Sequence, residues 1–278
     1  MTAKSGESSA GCNSARGTNF VGAEEERAIV AGMNYRAVIG LMLVSVAGVC
    51  RLAAQAGAEN VMASTEPGET HFVAVAEFDF RGVLPGPPAV GSLAAESDLV
   101  AVRQAQAWRT PEQVAWAKLV EKDSVFNYAS LMGAWFTAER LPRLAAFFAR
   151  VGEDMKAMDR AAKLPFARAR PTTVDPSLQP CVTLPTSTSY PSGSAMQAWV
   201  WGELLADMFP FRREEILERA ERAAWGRVIG GVHFPSDLVG GKRLAMVYLA
   251  EAWKNSGFQV GVEASRAELM RVALENIK

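Results

Sequence analysis

From residue 93 onward, apolar side chains recur three and four positions apart, the period of helices that bury one face. Leu99, Val102 and Ala105 carry the first pattern, in a stretch that turns helical from Glu96. Thr110-Pro111 is a good cap and first-residue pair for the next, with Val114, Ala117 and Leu119 following. Val125 to Ala138 is apolar nearly all round (Phe126, Leu131, Met132, Trp135, Phe136) and predicts a fully buried helix. Leu141 to Ala162 repeats the period through Leu144, Phe147, Phe148, Val151, Met155 and Met158. Helical texture returns at Ser194–Met208, Arg213–Val228 and Ser236–Lys254, and a last amphipathic stretch, Ala264–Ile277, follows. Alternating runs bounded by turns do not stand out, and no repeat is visible. The expected class is all-α, a single-domain helical bundle.

Two stretches break the pattern. Residues 59–92 hold Pro67, Pro85, Pro87 and Pro88 with several glycines, and read as an extended N-terminal arm. Residues 171–191 carry Pro171, Pro176, Pro180, Pro185 and Pro191 among Ser and Thr. A loop of about 20 residues inside a compact domain is uncommon and often functional.

The N-terminus has a different texture. Residues 1–32 are rich in Gly, Ser, Ala and Glu with no apolar period, and read as a disordered leader. From Met33, a candidate true start, Arg36 precedes the apolar run Ala37 to Cys50, and small residues follow at 54–58. A positive start, a short apolar stretch and an A-x-A-like end make a secretory signal peptide. The run is short of the roughly 20 residues that span a bilayer; the competing reading is a buried helix. Val49 is larger than the residue that lipoprotein processing at Cys50 prefers. The expected division is therefore leader plus signal peptide over 1–58, arm over 59–92 and helical domain over 93–278, in a periplasmic or secreted protein.

Composition narrows the partners. Hydrophobic residues make up 49% of the 278 and charged residues 21%, enough for a sizeable core. A formal net charge of −1 without a dense basic run argues against nucleic acid and anionic membranes, which need a positive footprint. Any oxyanion site must come from a few placed cations. Cleavage near Ala58 would remove Cys12 and Cys50 and leave Cys181, so no internal disulfide is expected. After the signal-like run, no apolar segment approaches spanning length, and the mature protein is not expected to be membrane-embedded.

Three short segments concentrate the reactive residue types: Lys163 to Arg170-Pro171, then Pro191-Ser192-Gly193-Ser194 at the end of the long loop, then Arg227 to His233 and Asp237. An oxyanion such as phosphate wants guanidinium forks and a point cation, which Arg170, Arg227 and Lys163 supply. It also wants backbone N–H groups at a helix start and a hydroxyl donor, as Gly193 and Ser192 offer. His233 can attack phosphorus through one ring nitrogen while Asp237 holds the other. Taken singly, these segments have ordinary readings: a solvated helix face, a serine-capped turn, a helix start.

Their order and spacing say more. Lys-x6-Arg-Pro, Pro-Ser-Gly-x and Arg-x5-His-x3-Asp resemble the type 2 phosphatidic acid phosphatase superfamily, to which the vanadium haloperoxidases are related. Leu84-Pro-Gly-Pro-Pro88, Ser189-Tyr190 and Arg227-Val-Ile-Gly-Gly-Val-His233 resemble its soluble branch, the class A bacterial non-specific acid phosphatases. The similarity covers roughly Val83 to Ala250. It implies a helical bundle of the acid phosphatase and haloperoxidase type. It also implies that Lys163, Arg170, Ser192, Gly193 and Arg227 bind a phosphoryl group. His233 would form a phosphohistidine that water hydrolyses, with Asp237 orienting it. The substrates would be small phosphate esters or anhydrides, no metal or other cofactor would be required, and a homo-oligomer is possible.

Two positions depart from the pattern. The family's serine before the second arginine is Gly226, and the histidine ending Pro-Ser-Gly-His is Ser194. In the family that histidine protonates the leaving alkoxide, and general acid catalysis contributes roughly 10²–10⁴-fold. A serine hydroxyl is too weak an acid to replace it directly, so good leaving groups are expected to be favoured. His71, the only other histidine, is a weak candidate for the missing acid. The competing functions are a catalytically feeble phosphate binder and, with less support, a vanadate-dependent haloperoxidase.

Overall fold

The computed structural model describes residues 70–122 and 124–276; the leader, the signal-like run and residues 59–69 of the arm lie outside them. Among the described residues there are helices and no strands, as the periodicity predicts. Seven longer helices are α1 (Leu93–Trp108), α2 (Pro111–Leu119), α3 (Pro142–Lys163), α4 (Gly193–Met208), α5 (Arg213–Ile229), α6 (Pro235–Ala252) and α7 (Ser256–Glu275).

Local chemistry sets most of their starts. Ser92 Oγ accepts the amide of Ala95 at 3.2 Å to open α1. Thr110 and Gln113 form a reciprocal capping box on α2, with Pro111 in the first turn. Asn255 Oδ1 accepts from Gly257 and Phe258 at the head of α7, which begins eight residues before the predicted Ala264. α3 has no cap of its own. Glu268 reaches across from α7 and accepts the amides of Arg143 and Leu144 at 3.2 and 2.9 Å.

One expected helix does not form. Over 125–138 the chain makes a 3-10 turn, Val125–Tyr128, and a single α-turn, Ala129–Met132. Gly133 then takes φ +112°, a conformation closed to a continuing helix, and an irregular stretch leads to α3. The apolar run is nonetheless buried, at Val125, Tyr128, Met132 and Phe136. The expectation of burial holds while the expectation of regular helix fails, because burial of aromatic side chains does not require a helical backbone. The proline-rich loop stays irregular apart from one turn, Pro171–Val174.

α4 is the central helix, packed on α5, α6, α3 and α7. Its buried residues run almost without break from Ala195 to Met208, as the all-round apolar sequence requires. The main core joins α3, α4, α6 and α7 and takes in Phe72, Val73, Phe80 and Leu84 from the arm. Asp154, fully buried on α3, fastens that segment by accepting the amides of His71 and Phe72 at 2.5 and 2.9 Å. A smaller cluster, including Val102, Ala198, Ala224, Val228 and Phe234, ties α1, α4, α5 and α6 together beside the three reactive segments.

Candidate active site

Each reactive residue sits where a helix begins or ends. Lys163 closes α3, Ser192 caps α4, Arg227 lies in the last turn of α5, and Asp237 lies in the first turn of α6. Ser192 Oγ accepts the amide of Ala195 at 3.2 Å, so Gly193 and Ser194 occupy the first turn of α4, where amides lack an intrahelical acceptor. The cap is locked from outside: the Ser192 amide donates to the carbonyl of Asp237 at 3.0 Å. α6 can come this close because Gly240 and Gly241 face the turn. A Cβ on Gly241 would lie 2.4 Å from the Ser192 carbonyl oxygen, and one on Gly240 2.5 Å from the Tyr190 ring. That close approach requires glycine at both positions.

His233, Arg170 and Asp237 form a connected set. Arg170 Nη1 lies 2.9 Å from His233 Nε2 and donates to the Val232 carbonyl at 2.7 Å, while its Nε donates to the Ser187 carbonyl at 2.8 Å. A guanidinium has only donors, so His233 Nε2 must be the acceptor and carry the lone pair. The ring proton is thereby assigned to Nδ1, which faces Asp237 Oδ2 at 3.3 Å. That is the tautomer a nucleophilic Nε2 requires. Burial, reinforced by the Arg170 and Lys163 cations and opposed by Asp237, holds the His233 pKa down at about 3. The ring is neutral above about pH 3.

Asp237 stays ionised although burial pushes its pKa up, because the hydrogen bond to His233 and the charge of Arg168 outweigh burial. It accepts from Ser189 Oγ at 2.5 Å, from the Phe234 amide at 2.8 Å and from Arg168 Nη1 at 2.6 Å. Arg168 in turn donates through Nη2 to Asp98 on α1 at 2.8 Å and lies over the Phe234 ring at 4.1 Å. Asp98 also accepts the Ser236 amide at 3.1 Å and the Ser236 hydroxyl.

The cations are placed but unevenly used. Lys163 Nζ donates to the Pro191 carbonyl at 2.9 Å and pairs with Asp159, one turn earlier on α3. Asp159 packs against Gly193, where a Cβ would lie 2.5 Å from its carboxyl carbon. Arg227 is 4% exposed, and neither its Nε nor its Nη1 has a hydrogen-bond partner. Burial lowers the pKa of Lys163, Arg227 and Arg170, that of Arg170 to about 10, so Arg170 is cationic at neutral pH. Buried guanidinium donors without acceptors are costly unless an anion meets them.

The predicted residues Lys163, Arg170, Ser192, Gly193, Arg227, His233 and Asp237 are thus gathered at the adjoining ends of α3, α4, α5 and α6. Ser194 lies at the same helix start but lines a neighbouring cleft with Lys122, Gln197, Trp201 and Arg219. His71 is bound to Glu153 and Asp154, and none of its partners belongs to this set. Gly226 admits α2, since a Cβ there would lie 2.9 Å from Val120. Sequence reasoning assigned no role to Arg168, Ser189, Asp98, Ser236 or Asp159. Arg168 and Ser189 stand inside the quoted segments and were open to notice; nothing near Asp98 marks it.

Comparison with known proteins agrees with this geometry. Residues 155–259, which contain every one of the gathered residues, match the PAP2 superfamily. The chain is 26% identical over 204 residues to a non-specific acid phosphatase of Providencia stuartii, covering 70% of this chain and 82% of that protein. It is 28% identical over 148 residues to an acid phosphatase of Zymomonas mobilis, covering 51% of this chain and about half of that protein's length, 56%. Among solved structures, a transmembrane PAP2 type phosphatidylglycerolphosphate phosphatase from Bacillus subtilis overlaps with a TM-score of 0.41 at 22% identity, over 59% of this chain and 87% of that one. The Lys-x6-Arg-Pro, Pro-Ser-Gly and Arg-x5-His-x3-Asp segments, folded together at one end of α4, all lie within residues 155–259, the part of this chain that matches the PAP2 superfamily.

Proposed function

We propose that the protein is a metal-independent phosphatase of the acid phosphatase type that hydrolyses small phosphate esters or anhydrides through a phosphohistidine on His233. The observation that carries this reading is the Arg170–His233–Asp237 set, which leaves the lone pair on Nε2 and the proton on Nδ1. An incoming phosphoryl oxygen takes the Arg170 donor away from Nε2 and frees the lone pair for attack. The Nε2–phosphorus bond forms as the bond to the leaving oxygen breaks, and the electron pair departs with that oxygen. Water then cleaves the N–P bond, releasing phosphate and restoring the imidazole. Arg227, with two unpartnered buried donors, together with Lys163, Ser192 and the first amides of α4, takes up the charge on the equatorial oxygens.

His233→Ala should reduce turnover by about 10⁴-fold or more yet leave vanadate binding largely intact, because the cations remain. Arg170→Ala should impair both, weakening vanadate by about 10- to 100-fold, as loss of a charge-assisted fork does. Turnover at the wild-type rate in His233→Ala would refute the assignment. Vanadate binding without any phosphate release, by contrast, would favour the alternative of a phosphate-binding member with little catalysis.

Export belongs to the same proposal and rests on the Arg36 to Ala58 segment; among the described residues no helix is long and apolar enough to cross a membrane. N-terminal sequencing of the protein recovered outside the cytoplasm should begin near Glu59. An intact chain recovered only from cytoplasm would defeat this part.

A further inference from the structure

The cleft beside Ser194 has no place in the reaction as described, and it begins where the phosphoryl site ends. On α4 it is lined by Ser194, Gln197, Ala198 and Trp201, spaced three and four apart down one face. On α5 it is lined by Arg219 and Ala223, and the next residue on that face, four further on, is Arg227. The cleft therefore lies between α4 and α5, with Ser194 next to the Ser192–Gly193 turn and Arg227 one helical turn beyond Ala223. Its third wall is the segment after α2, held by donation from Asn127 Nδ2 to the Lys122 carbonyl at 2.7 Å and from Tyr128 Oη to the Ala198 carbonyl at 3.4 Å.

The lining points to an anion. Arg219 is 8% exposed, its guanidinium 4.6 Å from the centre of the Trp116 ring and 5.0 Å from that of Tyr128, with Nη2 donating to the Asn127 carbonyl. Lys122 is exposed at the rim. Among the described residues that line the cleft, none is acidic. Trp201 is buried, with its benzo edge 3.7 Å from where a Cβ on Gly152 would lie, and its Nε1 donor has no partner. The cleft holds about 30 Å³. A water needs roughly 10–15 Å³ by the same measure, so the cleft has room for a group of carboxylate or phosphoryl size.

Resting on the phosphatase reading, we infer that this cleft is a subsite for a second anionic group on the leaving-group side of the substrate. Ser194, at the position where relatives of the resembled family place a proton donor, opens onto it. The substrates it selects carry two anionic ends: a phosphoanhydride or a phosphate ester of a small hydroxy acid. Lys122 and Arg219 offset the charge that the departing oxygen would otherwise keep, by interactions that need no proton transfer.

The test is calorimetric and independent of turnover. Binding of methylphosphonate is compared with that of methylene-, ethylene- and propylene-diphosphonate, none of which can be hydrolysed. At least one diphosphonate should bind about tenfold more tightly than methylphosphonate. That advantage should shrink to about twofold in Lys122→Gln and in Arg219→Gln. Lys122 is exposed, so its variant carries the result if Arg219→Gln proves unfolded by circular dichroism. Equal affinity for all four ligands would overturn the subsite and leave the phosphoryl site standing, as would an advantage that survives both substitutions. Failure of methylphosphonate itself to bind would overturn the phosphoryl site and the subsite together.

Discussion

At the scale of single residues, the proposed chemistry turns on Ser194. A loose phosphoryl-transfer transition state leaves substantial charge on the departing oxygen. An alkoxide of high pKa needs a proton there, whereas a phenolate, carboxylate or phosphate can leave without one. A series of kcat/KM values across leaving groups should therefore fall steeply as leaving-group pKa rises. Ser194→His should flatten the series and improve alkyl esters by about 10²-fold or more, because the half-buried side chain borders a cleft into which an imidazole can turn. A wild-type series already flat would show that another acid does the work. The segments that gather at this end of α4 were legible because each has a short fixed spacing, Lys163 to Arg170, Ser192 to Ser194 and Arg227 to Asp237. The residues behind them were not. Asp98 meets Arg168 from 70 positions away and Ser236 from 138, and no local pattern records such a meeting.

Among elements, the contrast is between helices that start themselves and one that is started from afar. Ser92, Thr110 and Asn255 are local caps, and their helices could be placed from the sequence near Ser92 and at Thr110-Pro111, though α7 was placed too late. α3 opens on Leu141-Pro142 and depends on Glu268 of α7 for two of its first amides. Glu268→Ala should cost about 1–2 kcal/mol, the range of a lost cap with charge at a helix N-terminus. Urea denaturation followed by far-UV circular dichroism measures it, and a change within error would show that solvent satisfies those amides equally well. The failed expectation of a helix over 125–138 has the opposite origin. The run has the composition of a buried helix, but Gly133 at φ +112° ends the single turn and directs the chain toward α3.

For the molecule as a whole, the buried histidine links the site to acid stability. Unfolded, His233 titrates near its ordinary value of 6.5; folded, it titrates near 3. Between those values the unfolded chain binds more protons, so the contribution to stability is fully present above about pH 6.5 and is lost as pH falls toward 3. The slope from this group approaches about 1.4 kcal/mol per pH unit. Thermal unfolding from pH 7 to pH 4 should show the loss, and His233→Gln should reduce it. Vanadate at 100 times its dissociation constant should return about 2.7 kcal/mol and raise Tm by the same mass action at every pH where it binds. A melting temperature indifferent to pH in both proteins would contradict the buried, neutral imidazole.

The junction of Arg168 with Asp98 and Asp237 also orders events in time. One carboxylate comes from α1 and the other from α6, so the link closes only when chain segments 138 residues apart have met, counting from Asp98 to Ser236. Contacts of such separation are among the slowest to form. Helix can therefore appear, and α4 can find its neighbours, before Arg168 joins Asp98 of α1 to the carboxylate beside His233. In refolding from denaturant, the far-UV signal should return first and phosphate release last. A chain ending before residue 233 would keep Lys163, Arg170, Ser192 and Arg227 and yet lack the proposed nucleophile.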